Sequence, residues 1–184
     1  MRKLTYEEIL KNRLTPEKAL SIGRHPVSLI LDNIRSAYNV GSIFRTADSA
    51  LLERIILCGY TSCPPKKEVE KTALGATESV PWVYVKNIEE AIAQEKKNGK
   101  KIVALELTNN PKIYTELNLN DFPMAIVIGN EVSGISDKAV ELSDFAVEIP
   151  MYGVKHSLNV SVSVGIAVYE AIRSWHIQSG IGFP

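Results

Sequence analysis

Cysteine and histidine are scarce in this 184-residue chain, with two of the first and three of the second. Cys58 and Cys63 stand in a C-x4-C spacing with no second pair, and His25, His156 and His176 are scattered, so no metal site is expected. An excess of one charge is lacking too. Twenty-one basic residues meet twenty-one acidic ones, which leaves no global positive field for a nucleic-acid partner and makes any basic contact a local one. No apolar run approaches the roughly eighteen residues of a membrane span, and the charged start has no apolar signal core behind it. A cytoplasmic protein without membrane contact is expected. Neither G-x-x-x-x-G-K-[ST] nor G-x-G-x-x-G occurs, which removes the usual phosphate cradles of phosphoryl and hydride transfer.

What is present suits one α/β domain over residues 1–184, 45% hydrophobic and 23% charged, with 1–25 as a short helical extension opened by the helix-start signal Thr15-Pro16-Glu17. Six apolar runs rich in Val and Ile read as buried strands: Val27–Leu31, Arg54–Gly59, Trp82–Val85, Lys101–Leu107, Met124–Gly129 and Phe145–Ile149. Helical patterns fall at about Asn39–Leu52, Ile88–Asn98 and Ser133–Leu142, giving a wound, mostly parallel sheet. The last stretch, SLNVSVSVGIAVYE from Ser157, alternates like a strand. It is too long for one, and Val160, Val164, Val168, Ala171 and Trp175 recur at helical spacing. A mostly buried helix is expected from about Ser157, with Ser157 and Asn159 in its first turn beside unpaired backbone N–H groups.

Ligands of open α/β sheets bind beyond the carboxyl ends of the strands. Three polar segments fall there: Asn39, Gly41 and Arg45 after the first strand, Gly129-Asn130-Glu131 to Gly134 after the fifth, and Ile149 to Asn159 after the sixth. Each alone has an ordinary explanation, Asn39 and Ser157 as helix caps, Arg45 as a surface residue and Glu131 as the brace of a glycine turn. Strand polarity places all three on one rim.

The segments NVGSIFRTADS, IVIGNEVSGIS and IPMYGVKHSLNVSVSVGIAVYE, in that order, resemble the three motifs of the SpoU (TrmH-like) branch of the SPOUT RNA methyltransferases, and KTALGA at Lys71–Ala76 is similar to another stretch of that family. The resemblance covers roughly Val27 to Arg173. It implies an α/β knot, in which the C-terminal segment forms a deep trefoil knot that general folding rules would not suggest. It further implies a homodimer through the C-terminal helix, S-adenosylmethionine as methyl donor, and a ribose 2′-hydroxyl of structured RNA as acceptor. Carried over by position, the cofactor lies against Leu105, Glu106 and Thr108, Gly129, Asn130 and Glu131, Ile149 and Met151, and Ser157, Leu158 and Asn159. Arg45, Asn39, Glu131, Ser157 and Asn159 match the catalytic set.

The arginine matching Arg45 has been suggested as a base in this family, but an arginine pKa above about 12 makes that costly. Arg45 is instead expected to hold a substrate phosphate and steady the developing alkoxide, a phosphate oxygen or water taking the proton. Arg13, Arg24, Lys66, Lys67 and Lys71 are candidate RNA contacts. Transfer RNA is expected ahead of ribosomal RNA, because only about twenty-five residues precede the first strand. A knotted RNA-binding dimer without turnover and a small-molecule enzyme on a flavodoxin-like sheet are the alternatives.

Overall fold

The computed structural model describes residues 1–11 and 13–180. In chain order its elements are α1 (Tyr6–Lys11), α2 (Pro16–Ser21), β1 (His25–Asp32), α3 (Ala37–Ser49), β2 (Leu52–Cys58), α4 (Lys67–Ala73), α5 (Ala76–Ser79), β3 (Trp82–Val85), α6 (Ile88–Lys97), β4 (Lys101–Leu105), β5 (Lys112–Ile113), β6 (Met124–Ile128), α7 (Asp137–Leu142), β7 (Phe145–Glu148) and α8 (Val160–Ser179), with 3-10 turns at Tyr114–Glu116 and Leu119–Asp121. The described strands form one sheet in the order β3-β2-β1-β6-β4-β7-β5, every pair parallel.

Parallel strands need both faces covered, which is why their sequences are continuously apolar. Leu29 and Leu31 of β1 pack into the layer of α3, α4 and α8, while Ile30 between them packs into the layer of α6 and α7. Three layers result, with β1 and β6 at their centre. The strands share one polarity, so the segments after β1, β4, β6 and β7 meet on one rim.

All six expected strands are present. The short β5 and the helices α4 and α5 have no counterpart among the sequence patterns, being too brief to show a period. Two helix starts differ from expectation. The helix expected from Ser133 begins at Asp137, because Asn130 and Gly134 pair across a tight turn first. The helix expected from Ser157 begins at Val160, capped by Asn159, whose side-chain oxygen accepts the Ser161 N–H at 2.9 Å. Nor is α8 buried all round. Val164, Val168 and Ala171 are inside, but Val162, Tyr169 and Ile177 form an exposed apolar stripe. Among the described residues no helix is long and apolar enough to cross a membrane, and no cluster of metal-ligating side chains occurs.

Candidate functional site

Beyond the carboxyl ends of β4, β6 and β7 lies a cavity of about 640 Å³. Its floor is apolar, made by Leu105, Ile128, Ile135, Val140, Val147 and Val160, and its edge is polar, with Glu106, Asn130, Glu131, Ser157 and Ser163. That size, and an apolar bed with a few convergent polar groups, suit a ligand of nucleoside dimensions.

The turn after β6 shapes one wall. Asn130 Oδ1 accepts the N–H groups of Val132 and Ser133 at 2.8 and 3.0 Å, folding the turn back on itself. Gly134 closes it at φ +70°, where a Cβ would collide with the Glu106 carboxylate. That carboxylate in turn accepts the Ile135 N–H at 3.0 Å and the Leu107 N–H at 2.9 Å, tying the segment after β4 to the segment after β6. Gly129 has no room for a side chain either, since its Cβ would overlap the Gly134–Ile135 backbone.

Glu131 reaches out of this turn to another loop. Its carboxylate accepts the backbone N–H groups of Arg35 and Ser36 at 2.7 and 2.9 Å and the Asn39 side-chain amide at 2.8 Å. Partial burial works against its charge, but the donors of Ser36, Asn39 and Arg35 outweigh it and hold the carboxyl below its ordinary range. Glu131 thus braces the loop after β1 rather than its own glycine turn, which Asn130 closes. Asn39 passes the connection on: its Oδ1 accepts the Asn159 amide at 3.2 Å. One hydrogen-bonded line therefore joins the segments after β6, β1 and β7 at the mouth of the cavity.

Ten of the eleven residues expected to hold a cofactor line the cavity: Leu105, Glu106, Thr108, Gly129, Asn130, Glu131, Ile149, Met151, Ser157 and Leu158. Asn159 does not; it caps α8 and holds Asn39 at the rim. Of the expected catalytic set, Asn39, Glu131, Ser157 and Asn159 gather there. Arg45 stands apart, exposed in a second depression shared with Ser42, Lys71, Thr72 and Tyr169.

The expected RNA contacts divide. Arg13, Lys66, Lys67 and Lys71 are exposed, and the Lys71 ammonium lies 5.9 Å from the Tyr38 ring centre. Arg24 is turned inward and is corrected to a structural role: its guanidinium donates to the carbonyl oxygens of Leu52, Ala19 and Ser79 at 2.9, 2.6 and 2.6 Å, fastening α2 to the sheet. Burial pushes the Cys58 thiol up to about 12 and also raises that of Cys63, so neither is a thiolate nucleophile at neutral pH. Sequence reasoning missed Ile135, Val140 and Ser163 of the cavity, and Ser36, which caps α3. Ser163 had a signal, a hydroxyl one turn into an apolar helix.

The model of the SpoU rRNA Methylase family matches residues 26–169. A Staphylococcus aureus (strain COL) protein assigned to the TrmH family of tRNA/rRNA methyltransferases is 35% identical over 171 residues, 93% of this chain and 66% of the relative. A Staphylococcus epidermidis relative with the same assignment is 35% identical over 87% of this chain and 64% of its own. The chain thus spans just under two thirds of the length of these curated relatives. Among solved structures, the A. aeolicus TrmH/SpoU tRNA modifying enzyme superposes with a TM-score of 0.78 at 28% identity, covering 95% of this chain and 86% of its own. An AdoMet-bound rRNA methyltransferase from Sinorhizobium meliloti superposes with a TM-score of 0.76 at 29% identity, covering 88% and 61%.

Proposed function

The chain belongs to the SpoU rRNA methylase family, and from that premise we propose that it transfers a methyl group from S-adenosylmethionine to a ribose 2′-hydroxyl of RNA. The observation that carries this is the line Glu131–Asn39–Asn159, which brings three separate strand-end segments together at the mouth of a nucleoside-sized cavity.

The cavity fits the methyl donor. Its bed of Leu105, Ile128, Val140 and Val147 suits a planar base, and Glu106, Ser157 and Ser163 offer partners to a ribose and an amino-acid tail. When bound, S-adenosylmethionine supplies a methyl on a positively charged sulfur, already activated toward a nucleophile. The chain's own work is then to place a weakly nucleophilic hydroxyl in line and to offset the charge that develops on it. Positioning of this kind contributes on the order of 7–11 kcal/mol in ideal cases. Glu131 fixes the loop after β1 through two backbone N–H groups, Asn39 and Asn159 lock that loop to the start of α8, and Ser157 faces the cavity beside them. Arg45 holds a backbone phosphate and steadies the developing alkoxide with its guanidinium fork, while a phosphate oxygen or water accepts the proton.

Arg45 lies outside the cavity of its own chain, next to Tyr169 on the exposed stripe of α8. We therefore propose a homodimer through α8 in which Arg45 serves the cavity of the partner subunit. The trefoil knot belongs to the same proposal. Its support is the 106–123 connection, which straps α8: Ser174 Oγ donates to the Leu117 carbonyl at 2.6 Å and the Leu119 N–H donates to Gln178 Oε1 at 2.6 Å.

For the RNA class, the A. aeolicus neighbour, a tRNA modifying enzyme matched over most of both chains, supports tRNA. The test is incubation with methyl-labelled S-adenosylmethionine and, separately, unmodified tRNA and rRNA, followed by mass spectrometry of digested nucleosides. A labelled 2′-O-methylnucleoside from the tRNA pool is expected. Label only from rRNA would overturn the substrate class, and label on a base would overturn the acceptor.

A further inference from the structure

Tyrosines usually bury the ring and leave the hydroxyl near water. Two tyrosines beside the candidate site depart from this. Tyr60, in the loop after β2, is 64% exposed, yet its hydroxyl oxygen accepts the Asn130 amide at 2.7 Å and its backbone N–H donates to Asn33 Oδ1 at 3.1 Å. Tyr84, on the neighbouring edge strand β3, is 46% exposed, and its hydroxyl donates to the Gly59 carbonyl at 2.9 Å. In each the hydroxyl is hydrogen-bonded although the residue as a whole is exposed.

The loop that carries Tyr60 is tied to the segment after β1. Thr61 is buried, its hydroxyl donating to the Leu31 carbonyl at 3.0 Å and accepting the Ile34 N–H at 3.0 Å. At Gly59, φ is +61° and a Cβ would meet the Asn33 side chain, so the sharp exit from β2 admits only glycine and sets the direction of Tyr60. Asn130 places this surface next to the mouth of the cavity, for Glu131 follows it directly and its backbone forms part of the lining. Lys86, two residues after Tyr84 in sequence, is exposed. Holding an exposed aromatic residue in one place costs conformational entropy, and exposed aromatic rings are the surfaces on which proteins stack unpaired nucleotides.

Given an RNA substrate, on which this inference rests, we propose that Tyr60, supported by Tyr84, is a stacking platform for an unpaired base next to the nucleotide being methylated. The substrate class is then RNA with its target in a single-stranded loop, where bases are free to splay onto an aromatic face. Duplex RNA would leave the rings without a partner.

The test uses the full chain and two readouts. In steady-state methylation of unmodified tRNA, Tyr60→Leu is expected to raise KM for RNA on the order of ten-fold with little change in kcat, and Tyr60→Phe, which keeps the ring, to restore most of the affinity. A Tyr60→Leu chain with the KM of the parent overturns the platform. So does Tyr60→Phe as damaging as Tyr60→Leu, which would mark the residue as a brace for Asn130. The second readout is independent of turnover: a single-stranded oligoribonucleotide containing 2-aminopurine should be quenched by the parent chain and by Tyr60→Phe, but not by Tyr60→Leu. If no RNA pool is methylated, the functional proposal fails and the quenching still decides the platform. Equal quenching by Tyr60→Leu contradicts it.

Discussion

The chemistry of Glu131 rests on its charge. Its carboxylate holds two backbone N–H groups and one amide, and the folded protein keeps its acidity stronger than the ordinary 4.5. A carboxyl depressed in the folded state adds stability that is fully present above the unfolded value and is lost as pH falls through the lower folded value. The melting temperature of Glu131→Gln should therefore lie below that of the parent at neutral pH, and the gap should close as pH falls below the ordinary carboxylate range. A gap that widened in acid would contradict the brace. The opposite rim carries a different kind of charge. Buried Lys100 contacts Glu95 at 3.1 Å and Glu53 at 2.6 Å, and Glu95 also pairs with Arg54. Glu95→Ala removes the buried carboxylate shared by Lys100 and Arg54 and leaves buried Lys100 with only the part-exposed Glu53, so it should cost up to about 3–5 kcal/mol in chemical denaturation while methyl transfer per folded molecule holds. At this scale the sequence was informative about the cavity because its residues sit in contiguous motifs after each strand. Arg24 was not legible. A lone arginine ahead of a strand reads as surface, and only the fold brings the carbonyls of Ala19, Leu52 and Ser79 to one point.

Among the elements, α3 and α8 position the site, and what surrounds them decides how. α3 packs so closely on α4 that a Cβ on Gly41 would overlap the Thr72 hydroxyl and the Val69 carbonyl. Gly41→Ala should force the two helices apart, destabilising the chain by about 1–3 kcal/mol and weakening transfer through the shift of Asn39 two residues before; calorimetric melting alongside an activity assay checks both. The strand runs were legible because buried parallel strands are uniformly apolar, and the C-terminal helix because its period extends past any strand length. Its start was not. Ser157 and Asn159 look alike as helix openers, and what separates them is the cap that Asn159 makes to Ser161 while Ser157 faces the cavity. The start of α7 was hidden for a related reason, since the bridge between Asn130 and Gly134 delays it and depends on Glu106 from another segment.

For the whole molecule, the proposed dimer through α8 accounts for both the exposed stripe of α8 and the isolation of Arg45. Tyr169→Glu should convert a dimer to a folded monomer in size-exclusion chromatography with light scattering, its far-ultraviolet circular dichroism unchanged and its transfer activity lost. Mixed dimers separate sharing from self-sufficiency. Arg45→Ala and Asn159→Ala chains, each inactive alone, should regain about a quarter of parental turnover when exchanged together, because half of the dimers then hold one complete site; no regain would assign Arg45 to its own chain. The central claim is that the acceptor is a ribose hydroxyl, and its most direct measurement replaces the modified nucleotide, once identified, by its 2′-deoxy counterpart in an otherwise identical RNA. Binding should persist and methyl transfer should vanish. Continued transfer to that deoxynucleotide would place the methyl on a base and contradict the account.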